Sequence, residues 1–426
     1  VPGNLAPFII LVRSLDDRRM SKKVLKIFKR GIRMGHISYS KSYLVPLIDR
    51  LNKYPIGLVD NEILREILSL LFSEEEAYVG SKFPLMEATL SELCERTGMS
   101  AEKLLPILDT MANKGLIMDM PFGNTTYYLL MPGVIGFIEF SFMKHRTDLP
   151  VEKLAKLMTQ YFHQDPEHGM ASEFFGSATQ LTRSLVYEEH IPVTSVITSY
   201  ESAREIIKQS DFGAAGLCHC RHKRHHEGFH CKKGAPMEEI CISLGNGARF
   251  LSRRGFAVPK SKEQLLAIID QAHELKLTHV TDNIRNRPTF ICNCCGCCCE
   301  IMAGVQMGYY EGVAKTSFIA VIDPARCNYC GECFSVCNVK AIGRDRTAAM
   351  KVSQVNSQIC LGCGACISSC PNQAISLIPR QNHAIPPRTK RELFKKILIE
   401  KRRIGPYLWE LTRRKLRKLW IGSRSQ

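Results

Sequence analysis

The chain has no apolar run approaching the ~18 residues that a membrane-spanning helix needs. Its most apolar N-terminal stretch, Phe8-Ile-Ile-Leu-Val12, stops at Arg13 and is too short for a signal-peptide core. No glycine fingerprint follows a strand-like run and no Walker A sequence occurs, so no nucleotide or flavin site is expected. Tryptophan is scarce, and both copies, Trp409 and Trp420, fall near the C-terminal end. Thiols are missing from most of the chain as well: only Cys94 lies outside residues 218–370, and it reads as a buried structural thiol.

What remains is an ordinary globular composition, 45% hydrophobic and 23% charged over 426 residues. That length suits roughly two to four domains of ~100–200 residues. The net charge of +17 is uneven. Residues 380–426 hold 15 Lys/Arg against Glu392, Glu400 and Glu410, a balance of +12, which leaves +5 for everything before them. Eighteen of the 19 cysteines lie between 218 and 370, which points to bound metal in the reducing cytoplasm of an anaerobe.

The sharpest signal is a duplication. Cys327, Cys330, Cys333 and Cys337 recur 33 positions later as Cys360, Cys363, Cys366 and Cys370. Gly331/Gly364, Ser335/Ser368, Ala341/Ala374 and Ile342/Ile375 recur at the same offset. Each half is C-x2-C-x2-C-x3-C, the spacing that wraps a [4Fe–4S] cube with three cysteines and sends the fourth to the other cube. One cluster would take Cys327, Cys330, Cys333 and Cys370, the other Cys360, Cys363, Cys366 and Cys337. Disulfides or paired zinc sites are the alternative, but zinc spacing does not predict a duplicated x2-x2-x3 pattern. Over residues 318–379 the chain resembles bacterial-type dicluster ferredoxins. It departs from them at Asn338, where that family usually has proline after the fourth cysteine.

Upstream, Cys218-His-Cys220-Arg221, Cys231 and Cys241 precede Ile291-Cys292-Asn-Cys294-Cys295-Gly-Cys297-Cys298-Cys299. From about 195 to 379 this resembles an anaerobic group of 4Fe–4S ferredoxin proteins with C-x-C-R, two spaced cysteines, an I-C-x-C-C-x-C-C-C run and a dicluster module. The resemblance implies electron transfer. Adjacent cysteines point different ways, so the 292–299 run is not expected to close on a single ion. It would feed two sites, or one large cluster shared with 218–241. Cys218, Cys220, Cys231 and Cys241 would alone suffice for a cube. Additional iron–sulfur is the expectation, with zinc or metal-free redox thiols as alternatives. Arg221 is placed to hydrogen-bond cluster sulfur. His219, His222, His225, His226 and His230 read as a solvated basic loop in preference to iron ligands.

The fold class expected is α+β and multidomain. A helical region (1–80) leads to a winged-helix-like module (81–145) and a connector (146–195). A cysteine-rich helical region (196–317), the ferredoxin module (318–379) and a basic amphipathic tail (380–426) follow. In the second, Thr89–Arg96 and Ala101–Asn113 are helices, with a hairpin turning at Pro121–Asn124. Residues 81–145 hold 5 Lys/Arg against 7 Asp/Glu, a balance of −2 that argues against specific DNA binding. In the connector, His163 and His168 read as solvated loop residues. Ser199 is expected to cap the helix Glu201–Lys208, and Cys241 to lie in a helix over Met237–Leu251. The tail, with helices over Arg391–Arg403 and Tyr407–Ile421, suits an anionic membrane surface or an acidic protein. The reading is a cytoplasmic iron–sulfur electron-transfer component with redox partner proteins, with a peripheral position at the membrane as an option. Its rivals are an oxidoreductase with a catalytic upstream cluster and a redox-sensing DNA-binding regulator.

Overall fold

The computed structural model describes residues 39–191, 199–344 and 353–422. The N-terminal run at Phe8–Val12 and Trp420's side chain lie outside what is described. Among the described residues, those from Tyr43 onward form one compact unit, which holds every described cysteine.

Local chemistry sets the helices of the N-terminal half. Asn61 caps Glu62–Leu71, whose Leu64, Ile67, Leu68 and Leu71 form one buried face. Ser73 and Glu76 make a reciprocal capping box for Glu74–Lys82, and Thr89 with Glu92 does the same for Leu90–Thr97. Ser100 caps Ala101–Lys114, and Gly98 and Gly115 end the two helices in left-handed conformation. Strands Ile117–Phe122 and Thr125–Leu130 pair antiparallel, with Ala88–Thr89 on the far side of the second.

The connector is more regular than expected. Helices Val151–His163 and Met170–Phe175 bury Leu154, Met158, Tyr161, Phe174 and Phe175 in the same core. His168 is exposed, but His163 is held, with Nε2 2.8 Å from Glu300 Oε2. The cap before residue 203 is Ser202, not Ser199, and the helix is Ala203–Gln209.

The largest correction concerns the cysteine-rich region, which is built on a sheet instead of helices alone. Six strands run in the order Thr182–Ser184, Thr278–Asp282, Phe290–Cys294, Cys241–Leu244, Gly213–Gly216 and Ala257–Pro259, every neighbouring pair antiparallel. Cys241 therefore sits on a strand. Gly213–Gly216 and Cys241–Leu244 are buried along their whole length, so they read as short runs without alternation, which periodicity does not distinguish from buried helix. Ile242 pairs with Ile291 on one face. The two-residue period of a strand then puts Cys241, Cys292 and Cys294 on the other.

The tail folds as the two helices expected of it. Helix Lys390–Glu400 sinks Leu393 and Ile397 into the N-terminal core. Beyond it, Lys401 and Arg403 pair with Glu173 at 2.8 and 2.6 Å, and Arg96 pairs with Glu410 at 2.7 Å. Ile404–Gly422 continues as a helix with Trp409 70% exposed. Among the described residues no helix is long and apolar enough to cross a membrane.

Candidate metal centres

The duplicated motif folds as a duplicated backbone. Phe318–Ile322 pairs with Ile375–Pro379, and Ile342–Arg344 with Ser353–Val355. Left-handed conformations repeat at the 33-residue offset: Tyr329 with Gly362, Gly331 with Gly364, Lys340 with Gln373. Gly362 has no alternative, because a Cβ there would stand 2.0 Å from the Phe318 carbonyl oxygen. In each half the repeated alanine amide donates to the fourth cysteine's sulfur, Ala341 to Cys337 and Ala374 to Cys370, both at 3.2 Å. The fourth cysteine of each half lies with the first three of the other. Cys370 joins Cys327, Cys330 and Cys333 around one cavity. Cys337 faces Cys360, Cys363 and Cys366. Burial pushes the Cys363 thiol up to about 11, and a bound metal's charge would be what favours its thiolate.

The ten upstream cysteines divide into two groups. Cys218 neighbours Cys241, which neighbours Cys292, and the succession runs on through Cys294 and Cys299 to Cys220. Cys220 in turn faces Cys218, closing a ring of six thiols. Cys241, Cys292 and Cys294 come from the sheet face. Cys218 and Cys299 are the N-cap residues of helices His219–His226 and Glu300–Gln306. There the Arg221 amide points at Cys218 sulfur, and the Ile301 and Met302 amides point at Cys299.

The second group is Cys231, Cys295, Cys297 and Cys298, with all four sulfurs within 4.8 Å of one another. The strand and the turn after it explain the sorting. Cys294 ends the strand facing the ring, so Cys295 points the other way. Residues 296–298 then turn, and Cys299 comes back to the ring. The expected grouping of Cys218, Cys220 and Cys241 with Cys231 is thus not what the fold produces: Cys231 lies in the other group, 3.7 Å from Cys295 and Cys297.

Arg221 lies between the groups. Its Nη2 donates to the Asn293 carbonyl at 2.9 Å, and its Nε is buried without a protein partner. Burial alone would lower its pKa, but facing Cys218, Cys295, Cys241 and Cys231 raises it further, so the guanidinium is a fixed cation. An unpaired buried N–H beside thiols suits an acceptor such as inorganic sulfide, and the donor set is all sulfur, so these residues fit iron–sulfur chemistry.

The histidine run is a solvated loop only in part: His225 and His230 are exposed, and His230 lies outside any helix. His219, His222, His225 and His226 lie on the helix His219–His226, with His222 and Lys223 buried. His222 Nδ1 lies 2.8 Å from the Phe142 carbonyl, and Lys223 pairs with Glu300, the residue after Cys299. Burial would raise the Glu300 pKa, but His163 and Lys223 hold it down at about 2.

Three residues at the junction of the two modules gave little sign in the sequence. Asn338 is buried; its Oδ1 accepts from the Gly296 amide at 3.0 Å, and its Nδ2 donates to Lys276 O at 2.8 Å and Thr278 Oγ1 at 3.0 Å. Thr278 Oγ1 in turn donates to Cys363 sulfur at 3.7 Å. Lys233 Nζ spans Lys276 O and Val336 O at 2.7 and 2.9 Å. The signal for Asn338 was its departure from proline, which has no side-chain amide to make these bonds. A Cβ on Gly296 would meet the Asn338 carbonyl oxygen at 2.5 Å, so the loop between the four tight thiols must lie directly on the ferredoxin backbone.

Comparison with known proteins agrees on the ferredoxin module. Residues 319–371 match the family model described as a 4Fe-4S dicluster domain. The chain is 37% identical over 90 residues to hydrogenase-4 component A of Escherichia coli (strain K12), covering 20% of this chain and 41% of that protein. It is 33% identical over 76 residues to protein Pixie of Drosophila melanogaster, 16% of this chain and 12% of that one. The matches therefore span less than half of either relative. No solved structure matches.

Proposed function

We propose that the chain is an electron-transfer component of a larger redox assembly. Two [4Fe–4S] clusters would be held by Cys327, Cys330, Cys333 and Cys370 and by Cys360, Cys363, Cys366 and Cys337, and a further cluster by the six-thiol ring. The crossing-over of Cys370 and Cys337 between the duplicated halves is the observation that carries this reading. The clusters supply one-electron redox chemistry. The chain's residues ligate, bury and hydrogen-bond: Ala341, Ala374 and Thr278 donate to ligand sulfurs, and such donors favour the more reduced, more negative cluster. Asn338, Gly296 and Lys233 hold the ferredoxin module against the upstream thiols, giving electrons a short covalent and hydrogen-bonded route between them. The match to a hydrogenase component supports membership of a multiprotein complex. The cysteine-rich region and the dicluster module are read as its electron path, in a reducing cytoplasm and at most peripheral to a membrane.

Two rival readings have less support. Six thiols exceed the four that a cube uses at one per iron, so an open iron for substrate is not what this ring favours. The module over 81–145 is read as a winged helix that docks protein. Its second helix offers Lys103 and Lys114, and these pair with Glu75 and Glu76 at 3.0 and 2.7 Å. Its Asp109 meets Arg254 of the cysteine-rich region at 2.6 Å. Little positive surface is left for phosphate.

The test is anaerobic purification of the full chain with iron and acid-labile sulfide counts and EPR of the reduced protein. About eight irons from the ferredoxin pair plus a further set lost in Cys292→Ser is the expected result. Eight irons with no change in Cys292→Ser removes the upstream cluster. Absence of the coupled two-cubane signal removes the whole reading.

A further inference from the structure

The four-thiol group differs from every other thiol set in the molecule by its spacing. Cys231–Cys295, Cys231–Cys297 and Cys297–Cys298 sulfur pairs each stand 3.7 Å apart. Four thiolates bound tetrahedrally to one ion at ~2.3 Å stand ~3.8 Å apart, the edge of that tetrahedron. In a cube each thiolate caps a different iron, and the thiolates must stand well apart. The ferredoxin thiols behave in that way: among the described residues, Cys231, Cys295, Cys297 and Cys298 form the sole group of three or more metal-binding side chains with all ligand atoms within 4.8 Å. The same fold thus holds its ferredoxin cysteines open and these four closed.

We infer that Cys231, Cys295, Cys297 and Cys298 bind a single divalent ion in an all-thiolate tetrahedron, zinc or iron, and not an iron–sulfur cube. A tetrahedral S4 donor set selects these ions. The surroundings complete it. The amides of Lys232 and Lys233 point at Cys297 and Cys231, as donors to thiolate charge. Cys295 and Cys298 are buried against Ala235, Ala272 and Leu277. The ion closes the loop carrying Cys231 onto the turn at Cys295–Cys298. That turn is the one whose Gly296 lies on Asn338, so the ion fixes the junction between the upstream ring and the second ferredoxin cluster. It does so whether or not it is itself a redox centre, and the assignment is independent of what the ring binds.

The experiment uses the full chain, purified anaerobically, with zinc, iron and sulfide counted per chain beside Cys231→Ser and Cys297→Ser. The expected result is loss of one metal equivalent with sulfide and cluster EPR unchanged. If the ion is zinc, X-ray absorption at the zinc edge of the unmutated protein shows four sulfurs at ~2.3 Å. If it is iron, oxidation gives a high-spin ferric signal that both variants lack. Loss of about four irons and four sulfides in either variant overturns the inference in favour of a cube. Should the variants fail to fold, the unmutated protein decides: no zinc with a four-sulfur shell and no sulfide-free iron also overturns it. Failure of the electron-transfer reading shows separately, as missing two-cubane EPR in the unmutated protein.

Discussion

Asn338→Ala tests whether the ferredoxin module is fastened to the upstream thiols through one side chain. The substitution removes three hydrogen bonds of 2.8 to 3.0 Å from a buried site. At ~1 kcal/mol net for each, about 3 kcal/mol of docking stability is lost, before counting the unsatisfied Gly296 N–H left behind; the Lys276 carbonyl keeps its bond from Lys233. Every ~1.4 kcal/mol is tenfold in an equilibrium constant, so local opening of this contact becomes roughly a hundredfold more frequent. Native-state hydrogen exchange on the anaerobic holoprotein reads it directly, because the Gly296 amide is itself a donor in the contact. Exchange across residues 295–299 is expected to rise by about that factor, with protection in the strand Ile375–Pro379 retained and iron content unchanged. Asn338→Asp keeps the acceptor for Gly296 but loses both donors, so its effect falls between the two. Exchange at Gly296 within twofold of the unmutated protein would refute the reasoning, as would an equal loss of protection throughout the ferredoxin strands.

Three further outcomes follow from particular contacts. Gly362→Ala drives a Cβ to 2.0 Å from the Phe318 carbonyl at a φ of 72°, and is expected to cost about four irons per chain, whereas Gly343→Ala, with nothing within 4 Å, leaves the iron count unchanged. Arg221→Gln withdraws a buried cation from beside the thiols, so the upstream cluster's potential, followed by redox titration with EPR, moves negative while the ferredoxin pair stays put. Glu173→Gln loosens the tail by about 2 kcal/mol, because the carboxylate is largely buried and accepts from Lys401, Arg403 and the Gly57 amide. Faster tryptic release of the tail at neutral pH checks it. Burial pushes the Glu173 pKa up, but Arg403 and Lys401 overcome that and hold it below the usual glutamate range. The contribution is therefore complete above the unfolded value of ~4.3 and fades as pH falls toward the folded one, so the unmutated tail exchanges faster only in that acidic range.

What could be read from the sequence was whatever depends on neighbours along the chain. The helices expected over Thr89–Arg96 and Ala101–Asn113 and the hairpin turning at Pro121–Asn124 are local chemistry, and the structure has them as Leu90–Thr97, Ala101–Lys114 and the paired strands at 117–130. The duplicated thiols were legible for the same reason: three of each four ligands lie on one short loop, and the fourth is set by the offset. The ten upstream cysteines are different. Their grouping depends on the register between Cys241–Leu244 and Phe290–Cys294 and on the turn at 296–298, neither of which spacing encodes. Cys241–Leu244 carries no alternation because it is buried along its whole length, which is why a helix was expected at Cys241. The histidine helix misled through charge, and the tail's anchoring ion pairs were not visible. Lys223 and Glu300, or Glu173 with Lys401 and Arg403, meet only after folding.

The same distinction bears on which residues govern the electron path. Ligands announce themselves in sequence because iron demands thiols at close spacing. Residues that set distance between clusters carry no such demand, since any buried group with matching donors and acceptors can serve. Asn338 is visible only as an oddity, one position after Cys337, yet it joins Gly296 to Thr278 and Thr278 to Cys363. A substitution there alters how two metal-binding modules sit together without touching a ligand. If electron passage from the second ferredoxin cluster to the upstream thiols depends on that seating, Asn338→Ala slows it while every cluster remains present. Transfer timed by rapid-freeze EPR after flash reduction would then separate seating from ligation. An unchanged rate, beside the increased exchange at Gly296, would place the path elsewhere than through this contact.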